Sequence, residues 1–312
     1  MGVGWTTRVA VVQAAPVIMD REATIDKAIA CLREAAAAGA QLVLFPEAFI
    51  PAYPRGLSFG IVVGSRTDAG RRTWARYHAN AVEIPSPATD RLGAAVRAAG
   101  VHLAIGVIER DHLGGTLYCT LLYFGPDGAI LGKHRKLKPT AGERLIWGEG
   151  DGSTMPVLAT PLGRVGGLIC WENYMPLARM AMYRKGVELY LAPTADARDG
   201  WQATVCHIAL EGRCFVLAAN QYVNRAMYPA DLEDEALADL AGAPEEMCRG
   251  GSAIISPLGD YLAGPLWGQE GILYADLNQA AIAEGKFDFD VIGHYARDDI
   301  FSFAVDERPQ GG

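Results

Sequence analysis

The chain contains 312 residues, of which 50% are hydrophobic and 21% are charged, with a formal net charge of −8. This balance excludes a disordered chain, and the acidic charge argues against a nucleic-acid partner, which would need a basic surface. The sequence has no apolar run of the roughly 18–20 residues that a membrane helix needs, and no signal peptide is recognisable, so we expect no membrane partner and a cytoplasmic location with reduced thiols.

Predicted strands and helices alternate along the chain. In the first half, apolar patterns predict strands at 7–13, 41–45 and 101–108, helices at 24–38, 69–82 and 88–99, and a hairpin formed by 116–124 and 129–136. In the second half, they predict strands at 164–170, 189–193 and 215–220, helices from Pro176 and at 201–211, and a hairpin-like unit formed by 253–256 and 272–276. This order predicts an α/β fold with mixed sheets.

The domain organisation follows from composition. No linker divides the chain, so we predict a single domain spanning 1–312, with a C-terminal arm from about residue 295 that has little apolar pattern of its own. The acidic segment 229–246 is the clearest shift in composition, and it fits either a solvated surface helix or a mobile loop.

A carboxylate closely follows the second predicted strand. Glu47 comes after the apolar run 42–45 and a proline, Pro46, that ends the strand. Side chains just beyond a buried strand lie at the edge of the sheet, where ligands commonly bind. Taken alone, Glu47 also fits a solvated loop residue, as most loop carboxylates are.

Four basic residues lie within the six positions 133–138. Such a run is often a solvated surface, and that alternative stays open for the run taken alone. Because the run extends a predicted hairpin strand, alternate side chains should point to opposite faces. The sequence therefore predicts one face with His134, Lys136 and Lys138 and another with Lys133, Arg135 and Leu137.

Cys170 ends a short apolar stretch and precedes a turn and a predicted helix. Positive charge near such a thiol lowers its pKa from about 8.5 and makes it reactive, whereas an inert buried cysteine is the alternative. The six cysteines form no Cys-x-x-Cys pair and the six histidines no His-Glu-x-x-His spacing. The sequence therefore predicts neither a metal site nor a cofactor.

Taken together, these segments resemble the nitrilase superfamily. FPEAF around Glu47, HRKLKPT around Lys136 and GGLICWENYMPL around Cys170 are similar to its three motifs and occur in the same order. Further similar blocks lie at 143–153, 207–221 and 250–260, so the resemblance covers nearly the whole chain. It implies a four-layer α-β-β-α sandwich that forms homodimers or larger homo-oligomers and needs no cofactor.

The resemblance also implies a role for each motif residue. Cys170 would be the nucleophile, and Glu47 would act as general base and proton carrier. Lys136 would stabilise the charge that develops during the reaction. Glu143 would be a second carboxylate that positions the substrate or the lysine, although a purely structural ion pair is the alternative for this residue.

The residues after the nucleophile favour one substrate class. The Cys-Trp-Glu triplet at 170–172 is similar to that of true nitrilases, whereas aliphatic amidases of the superfamily tend to carry Cys-Tyr-Asp. We therefore expect a small-molecule nitrile to be hydrolysed to a carboxylic acid and ammonia. An amidase of the same superfamily and a catalytically inactive assembly scaffold are the alternatives. The predicted substrate-binding residues are Tyr53, Trp171, Glu172 and Asn173, while the kind of nitrile, whether aliphatic, aromatic or arylacetic, stays open.

Overall fold

The computed structural model describes residues 4–310. The helices are α1 (Arg21–Ala37), α2 (Asp68–Ala79), α3 (Pro87–Ala99), α4 (Pro176–Arg184), α5 (Asp199–Gly212), α6 (Asp234–Ala241) and α7 (Ala280–Asp288). The strands are β1 (Thr6–Gln13), β2 (Leu42–Leu44), β3 (Ile61–Val62), β4 (Ser65–Arg66), β5 (His102–Arg110), β6 (Leu117–Phe124), β7 (Ile130–Arg135), β8 (Val157–Thr160), β9 (Gly163–Gly167), β10 (Leu189–Leu191), β11 (Phe215–Ala218), β12 (Tyr222–Asn224), β13 (Glu246–Ile255), β14 (Tyr261–Trp267) and β15 (Gly271–Asn278). Short 3₁₀ turns at Ala141–Leu145 and Cys170–Tyr174 matter for the site described below.

Two sheets carry most of the strands. The first has the order β15-β1-β2-β5-β6-β7, and the second has the order β12-β13-β11-β10-β9-β8 with β14 paired to β13. In the first sheet β1, β2 and β5 are parallel, and in the second β9, β10 and β11 are parallel. The carboxyl ends of parallel strands lie at one edge of a sheet, which is where functional groups commonly collect.

The apolar core has three parts, and they define four layers. Leu44 and Leu121 of the first sheet join Leu191 and Leu217 of the second in one cluster between the sheets. A second cluster joins α1 and α3 to the other face of the first sheet, and a third joins α4 and α5 to the other face of the second sheet. Burial of apolar side chains stabilises such layers by about 25 cal/mol per Å². The prediction of an α-β-β-α sandwich is confirmed.

The prediction of a hairpin-like unit formed by 253–256 and 272–276 is wrong. The strand that returns beside β13 is β14, and β15 instead crosses to the first sheet, where it pairs antiparallel with β1 along its whole length. Sequence patterns missed β14 because it contains Gly264 and Pro265, which are depleted from strand interiors.

The acidic segment 229–246 contains the surface helix α6, so the helix interpretation is the correct one. Its inner side buries Ala236 and Leu240. Two ion pairs connect the segment to α2, between Arg72 and Glu233 at 2.8 Å and between Arg76 and Asp231 at 2.9 Å. Among residues 4–310, no helix is both long and apolar enough to cross a membrane.

Residues 289–310 contain no helix or strand and pack on the outer layer of the second sheet. Phe303 and Val305 contact the cluster that contains α4 and α5. Lys185, at the end of α4, forms an ion pair of 2.7 Å with Glu307. The last described part of the chain is therefore attached to the helical layer beside the second sheet.

Gly106 of β5 allows the segment that follows β2 to pass close to the sheet. A Cβ atom at this position would lie 2.2 Å from the carbonyl oxygen of Pro46 and 2.6 Å from the nitrogen of Ala48. Both atoms belong to the backbone, which cannot rotate away as a flexible side chain could. Because glycine has no Cβ atom, the loop that contains Glu47 can pass this close to β5.

Replacing Gly106 by alanine should lower the free energy of unfolding by about 1–3 kcal/mol, because the new methyl group overpacks a rigid contact. Urea denaturation followed by circular dichroism measures this change. Gly115→Ala is the matched control, because nothing lies within 4 Å of a Cβ atom added there. Equal denaturation midpoints for the two variants would show that the loop adjusts freely.

Candidate active site

Glu47 lies beyond the carboxyl end of β2 and is completely buried. Its backbone carbonyl accepts a hydrogen bond of 2.8 Å from the side-chain amide of Gln221, a residue near the end of β11 in the other sheet. The next residue, Ala48, has a left-handed φ of 48°, so the chain turns sharply here. The carboxylate is thus held in the interior, which rules out the solvated loop residue that the sequence alone also allowed.

Lys136 directly follows β7 and is 1% exposed. Its backbone N–H donates to the carbonyl of Cys119 on β6 at 2.8 Å, which extends the hairpin by one residue. Its ammonium donates to Oε1 of Glu47 and to Oε2 of Glu143, both at 2.7 Å. The lysine therefore bridges two carboxylates in the interior of the protein.

The predicted faces of the basic run are correct except at its end. His134 and Lys136 are buried, whereas Lys133 and Arg135 contact Glu109 on the other side of the strand. Lys138 lies at the surface, where it pairs with Glu149, because β7 ends at Arg135 and strand alternation ends with it.

Glu143 sits in the 3₁₀ turn Ala141–Leu145, where its carboxylate has partners on both oxygens. Oε2 accepts hydrogen bonds from Lys136 and from the backbone N–H of Thr140 at 2.6 Å, and Oε1 accepts one from the hydroxyl of Tyr53 at 2.7 Å. This set of donors fixes the position of the carboxyl group, which in turn orients the lysine.

Cys170 occupies a strained turn after β9. The strand ends at Gly167, three residues earlier than predicted, and Cys170 begins a 3₁₀ turn with a left-handed φ of 52°. Its N–H donates to the carbonyl of Pro193 at 2.8 Å, and the hydroxyl of Thr194 lies 3.1 Å from its sulfur. Strained backbone of this kind is concentrated at functional sites, where it fixes the direction of one side chain.

The ionisable side chains of the site have shifted pKa values. Burial raises the pKa of Glu47 against the opposing effect of the Lys136 ammonium, and the Glu143 carboxylate raises it further. Burial disfavours the ammonium of Lys136, but the surrounding groups, with Glu47 foremost, hold its pKa well above the usual range. The surrounding groups therefore favour the charged form of the lysine, whereas burial opposes the charged form of Glu47.

The Cys170 thiol does not have the low pKa that its position in the sequence suggested. Burial and the charge of Glu47 raise the pKa of Cys170 to about 12, and neither Lys136 nor the hydrogen bond from Thr194 offsets this increase. The ammonium of Lys136 is already paired with two carboxylates, so the thiol experiences a cluster that is negative overall. The resting state of this site holds a neutral thiol beside a carboxylate.

A cavity of about 420 Å³ opens at the cysteine. Its lining includes Tyr53, Glu143, Cys170, Trp171, Asp196 and Arg198. The indole N–H of Trp171 donates to Asp196 at 2.8 Å, and the guanidinium of Arg198 lies 4.6 Å from the centre of the indole ring. A second cavity of about 510 Å³ shares Tyr53 and Glu143 with the first and adds apolar side chains of the segment 57–61.

The structure brings together most of the predicted site residues but not all of them. Tyr53 and Trp171 line the cavity with Cys170 and Glu143. Glu172 and Asn173 are buried and do not reach it. Asn173 donates to the carbonyls of Leu168 and Cys170, and Glu172 contacts His134 and two backbone N–H groups. This placement corrects the prediction that Glu172 and Asn173 contact substrate.

Three residues of the site were not predicted. Thr194, Asp196 and Arg198 follow β10, the neighbour of β9, and so lie at the same edge of the second sheet as Cys170. The rule that identified Glu47 beyond a buried strand would have identified Thr194 and Asp196 as well. Among residues 4–310, no three or more His, Cys, Asp or Glu side chains are arranged to hold a metal ion.

Comparison with known proteins identifies a family. Residues 8–287 match the family model described as carbon-nitrogen hydrolase. An aliphatic nitrilase of Sinorhizobium fredii is 56% identical over 97% of this chain and 96% of its own length. A bifunctional nitrilase/nitrile hydratase of Lupinus angustifolius is 54% identical over 97% of this chain and 87% of its own.

Solved structures resemble this fold at lower identity. A carbon-nitrogen hydrolase from Helicobacter pylori superimposes with a TM-score of 0.73 at 20% identity, covering 95% of this chain and 97% of that one. An amidase from Nesterenkonia sp. gives a TM-score of 0.64 at 21% identity, covering 93% of this chain and 98% of that one. These two likenesses concern the fold alone.

Replacing Lys136 by methionine should destabilise the protein by about 3–5 kcal/mol, because two buried carboxylates lose their counter-charge. Urea denaturation provides the measurement. Lys138→Met is the matched control: its ion pair with Glu149 has both side chains more than half exposed, and such pairs contribute only about 0–1 kcal/mol. A Lys136→Met variant as stable as the control would mean that the buried carboxylates are compensated by other groups.

Proposed function

The chain belongs to the carbon–nitrogen hydrolase family, and we propose that it is a nitrilase that converts an organic nitrile to a carboxylic acid and ammonia through covalent intermediates on Cys170. The observation that carries the assignment of residues is that Cys170 and Glu143 line one cavity, while the buried ammonium of Lys136 joins Glu143 to Glu47. The substrate class is supported by nitrilase relatives that are 51–56% identical over nearly the whole chain.

The first step in this mechanism is addition of sulfur to the nitrile carbon. Glu47 is the general base, because its Oε2 is buried without a hydrogen-bond partner among the described residues and so is free to accept the thiol proton. As the carbon–sulfur bond forms, one bond of the carbon–nitrogen triple bond breaks. The proton passes from Glu47 to the nitrogen, which yields a neutral thioimidate and restores the carboxylate.

Water then converts the thioimidate to a thioester. Glu47 takes a proton from the attacking water and delivers it to the nitrogen, which gives a tetrahedral intermediate with one hydroxyl and one amino group. Glu47 then carries the hydroxyl proton to the amino nitrogen, so that the carbon–nitrogen bond breaks, the carbonyl of the thioester forms and ammonia leaves. A second water, activated in the same way, adds to the thioester and expels the thiol, which regains its proton as the acid departs. The net reaction consumes two waters and releases one acid and one ammonia.

Lys136 stabilises the negative charge that develops on the substrate in each addition step. Such a group contributes most when it is held in place before the reaction, because no reorganisation is then needed. The ion pairs to Glu47 and Glu143 provide this rigidity. Glu143 therefore acts by positioning the lysine, and Tyr53 supports it through the 2.7 Å hydrogen bond.

The tetrahedral intermediate formed from the thioimidate has two possible outcomes. Loss of ammonia gives the thioester and then the acid, whereas loss of the cysteine gives a free amide. A protonated nitrogen is the better leaving group, and Glu47 supplies that proton, so the acid is the main product. The bifunctional names of several relatives support a minor amide product from the same intermediate.

The assembly and location of the protein form part of the same proposal. The whole chain acts as one domain with a C-terminal arm, in the cytoplasm, as at least a homodimer. Apolar side chains that a partner would cover lie at the start of α4, where Tyr174, Met175 and Leu177 are 46%, 39% and 70% exposed. Isolated exposed apolar residues are normal, but a group of them close together in the chain, here just before and within the first turn of α4, is consistent with an interface.

Cys170→Ala should lower the rate of ammonia release from a nitrile by on the order of 10⁴-fold or more, because the covalent route is lost. A panel of aliphatic, aromatic and arylacetic nitriles with their matching amides, assayed for ammonia, acid and amide, provides the measurement. Cys214→Ala is the matched control, since Cys214 is equally buried but lies in the cluster beneath α4 and α5. Faster hydrolysis of amides than of the matching nitriles would make the protein an amidase.

In solution the protein should have at least twice the 33.4 kDa mass of the chain. Leu177→Glu should shift it toward the monomer, because a charge would be buried at the proposed interface. Light scattering at micromolar concentration measures the mass. Leu113→Glu, at a loop position that is 93% exposed, is the control. A monomeric unmodified protein would contradict this proposal.

A further inference from the structure

A second charged pair lies beside the proposed catalytic residues and has no part in the mechanism above. His134 and Glu172 are almost completely buried, and Nε2 of the histidine lies 2.9 Å from Oε2 of the glutamate. His134 precedes Lys136 by two residues, and Glu172 follows Cys170 by two residues. The pair therefore joins the segments that carry the lysine and the nucleophile.

The hydrogen bonds of His134 determine its protonation state. Its Nδ1 lies 2.7 Å from the carbonyl oxygen of Thr154, which can only accept, so this nitrogen carries a hydrogen. With one hydrogen on Nδ1, a neutral ring would present the lone pair of Nε2 to the carboxylate of Glu172. The 2.9 Å contact is then favourable only when Nε2 also carries a hydrogen and the ring is an imidazolium.

The carboxyl group of Glu172 accepts hydrogen bonds from two backbone segments. Oε2 accepts the backbone N–H of Ile169 at 2.7 Å, and Oε1 accepts the backbone N–H of Leu137. Leu137 follows Lys136 directly and Ile169 precedes Cys170 directly, so each donor lies next to a proposed catalytic residue.

We propose that His134 and Glu172 are positioning residues that, as a buried ion pair, fix the location of Cys170 relative to Lys136. The carboxylate of Glu172 holds a backbone N–H beside each proposed catalytic residue, and the ring of His134 holds that carboxylate in its orientation. The expected effect of this pair on turnover rests on the proposed function. The protonation state and the connection between the two segments stand independently of the substrate.

The ionisable groups around the pair shift the pKa of His134 in both directions. Burial opposes the charged ring, but Glu172 and the Thr154 carbonyl raise the pKa of His134 above its ordinary value. Lys185, whose ammonium donates to the carbonyl of Met155 at 2.6 Å, lowers it. The buried hydroxyls of Tyr123 and Tyr190 stay protonated, since burial and the charge of Glu172 raise their pKa values.

Lys133 and Arg135 lie on the opposite side of the strand with Glu109.

The pKa of His134 is higher in the folded state, so the stabilisation by the His134–Glu172 pair is complete below a pH of about 6.5, the unfolded value. It is lost as the pH rises through the folded value.

Nuclear magnetic resonance of protein labelled with ¹⁵N-histidine tests the protonation state directly. The ring of His134 is identified by elimination, from samples in which each of the other five histidines is replaced by glutamine in turn. It should be an imidazolium at pH 6 and should titrate at a pH above 6.5. A neutral ring at pH 6 would overturn the proposal. This measurement uses the unmodified enzyme and needs no substrate.

The positioning role is tested by kinetics of His134→Gln and Glu172→Gln. Each should lower kcat by roughly 10- to 100-fold with little change in KM, because a displacement of about 1 Å suffices for such a loss. The alkaline decline of kcat in the unmodified enzyme should coincide with the titration of His134 and be absent from His134→Gln. His102→Gln is the matched control, because His102 is also buried, at the start of β5, far along the chain from the pair.

A purely structural pair would give variants with lowered stability but unchanged kcat and an unchanged pH profile, and that result would overturn the proposal. If the variants do not fold, the titration of His134 in the unmodified enzyme and the pH dependence of Cys170 alkylation by iodoacetamide decide it. The alkylation rate rises with pH as the Cys170 thiol ionises, and it should rise less steeply once His134 loses its proton. A rise of about tenfold per pH unit throughout, as thiol ionisation alone gives, would count against the role. If the unmodified enzyme released no ammonia from any nitrile, the proposed function would be rejected. The titration of His134 and the pH dependence of Cys170 alkylation would still test the positioning role.

Discussion

The ammonium of Lys136 between Glu47 and Glu143 is the interaction on which the rest of the site depends. Two carboxylates in a water-excluded interior repel each other and lose their hydration, so without the lysine at least one would be protonated. The three side chains come from the loop after β2, the end of β7 and the 3₁₀ turn 141–145. Their charges can be accommodated only because these segments hold both carboxylates within hydrogen-bonding distance of the lysine.

The same cluster explains why the thiol is neutral at rest. Two carboxylates and one ammonium leave a net negative charge close to Cys170, which opposes a thiolate and agrees with a pKa of about 12 for this thiol. A neutral thiol suits addition to a nitrile, because the nitrogen must gain a proton when sulfur adds to the carbon. In the proposed mechanism, Glu47 carries the proton that leaves the sulfur to the nitrogen that needs it.

The apolar patterns of the sequence predicted an α/β fold with mixed sheets, and the resemblance to the nitrilase superfamily implied the four-layer sandwich. Glu47 and Cys170 were placed at strand ends because each follows an apolar run, and Lys136 because the basic run extends a hairpin strand. It could not show that β7 ends before Lys138, since strand alternation gives no sign of where it stops. The buried positions of Glu172 and Asn173 depend on the 3₁₀ turn at Cys170–Tyr174, which has no clear signature in composition.

The raised thiol pKa also escaped prediction. A cationic neighbour predicts a low value, and only the structure shows that the charge of Lys136 is already neutralised by two partners.

The pairing of β15 with β1 has a consequence for how the protein is made. β1 lies near the start of the chain, yet its antiparallel partner, Gly271–Asn278, is synthesised on the order of 250 residues later. At about 5–20 residues per second, a ribosome would expose one edge of the first sheet for roughly 10–50 s before the partner strand emerges. An unpaired strand edge is a template for association with other chains. During translation this edge would therefore be available to chaperones, and the sheet that holds Glu47 and Lys136 would be among the last parts of the nascent chain to be completed.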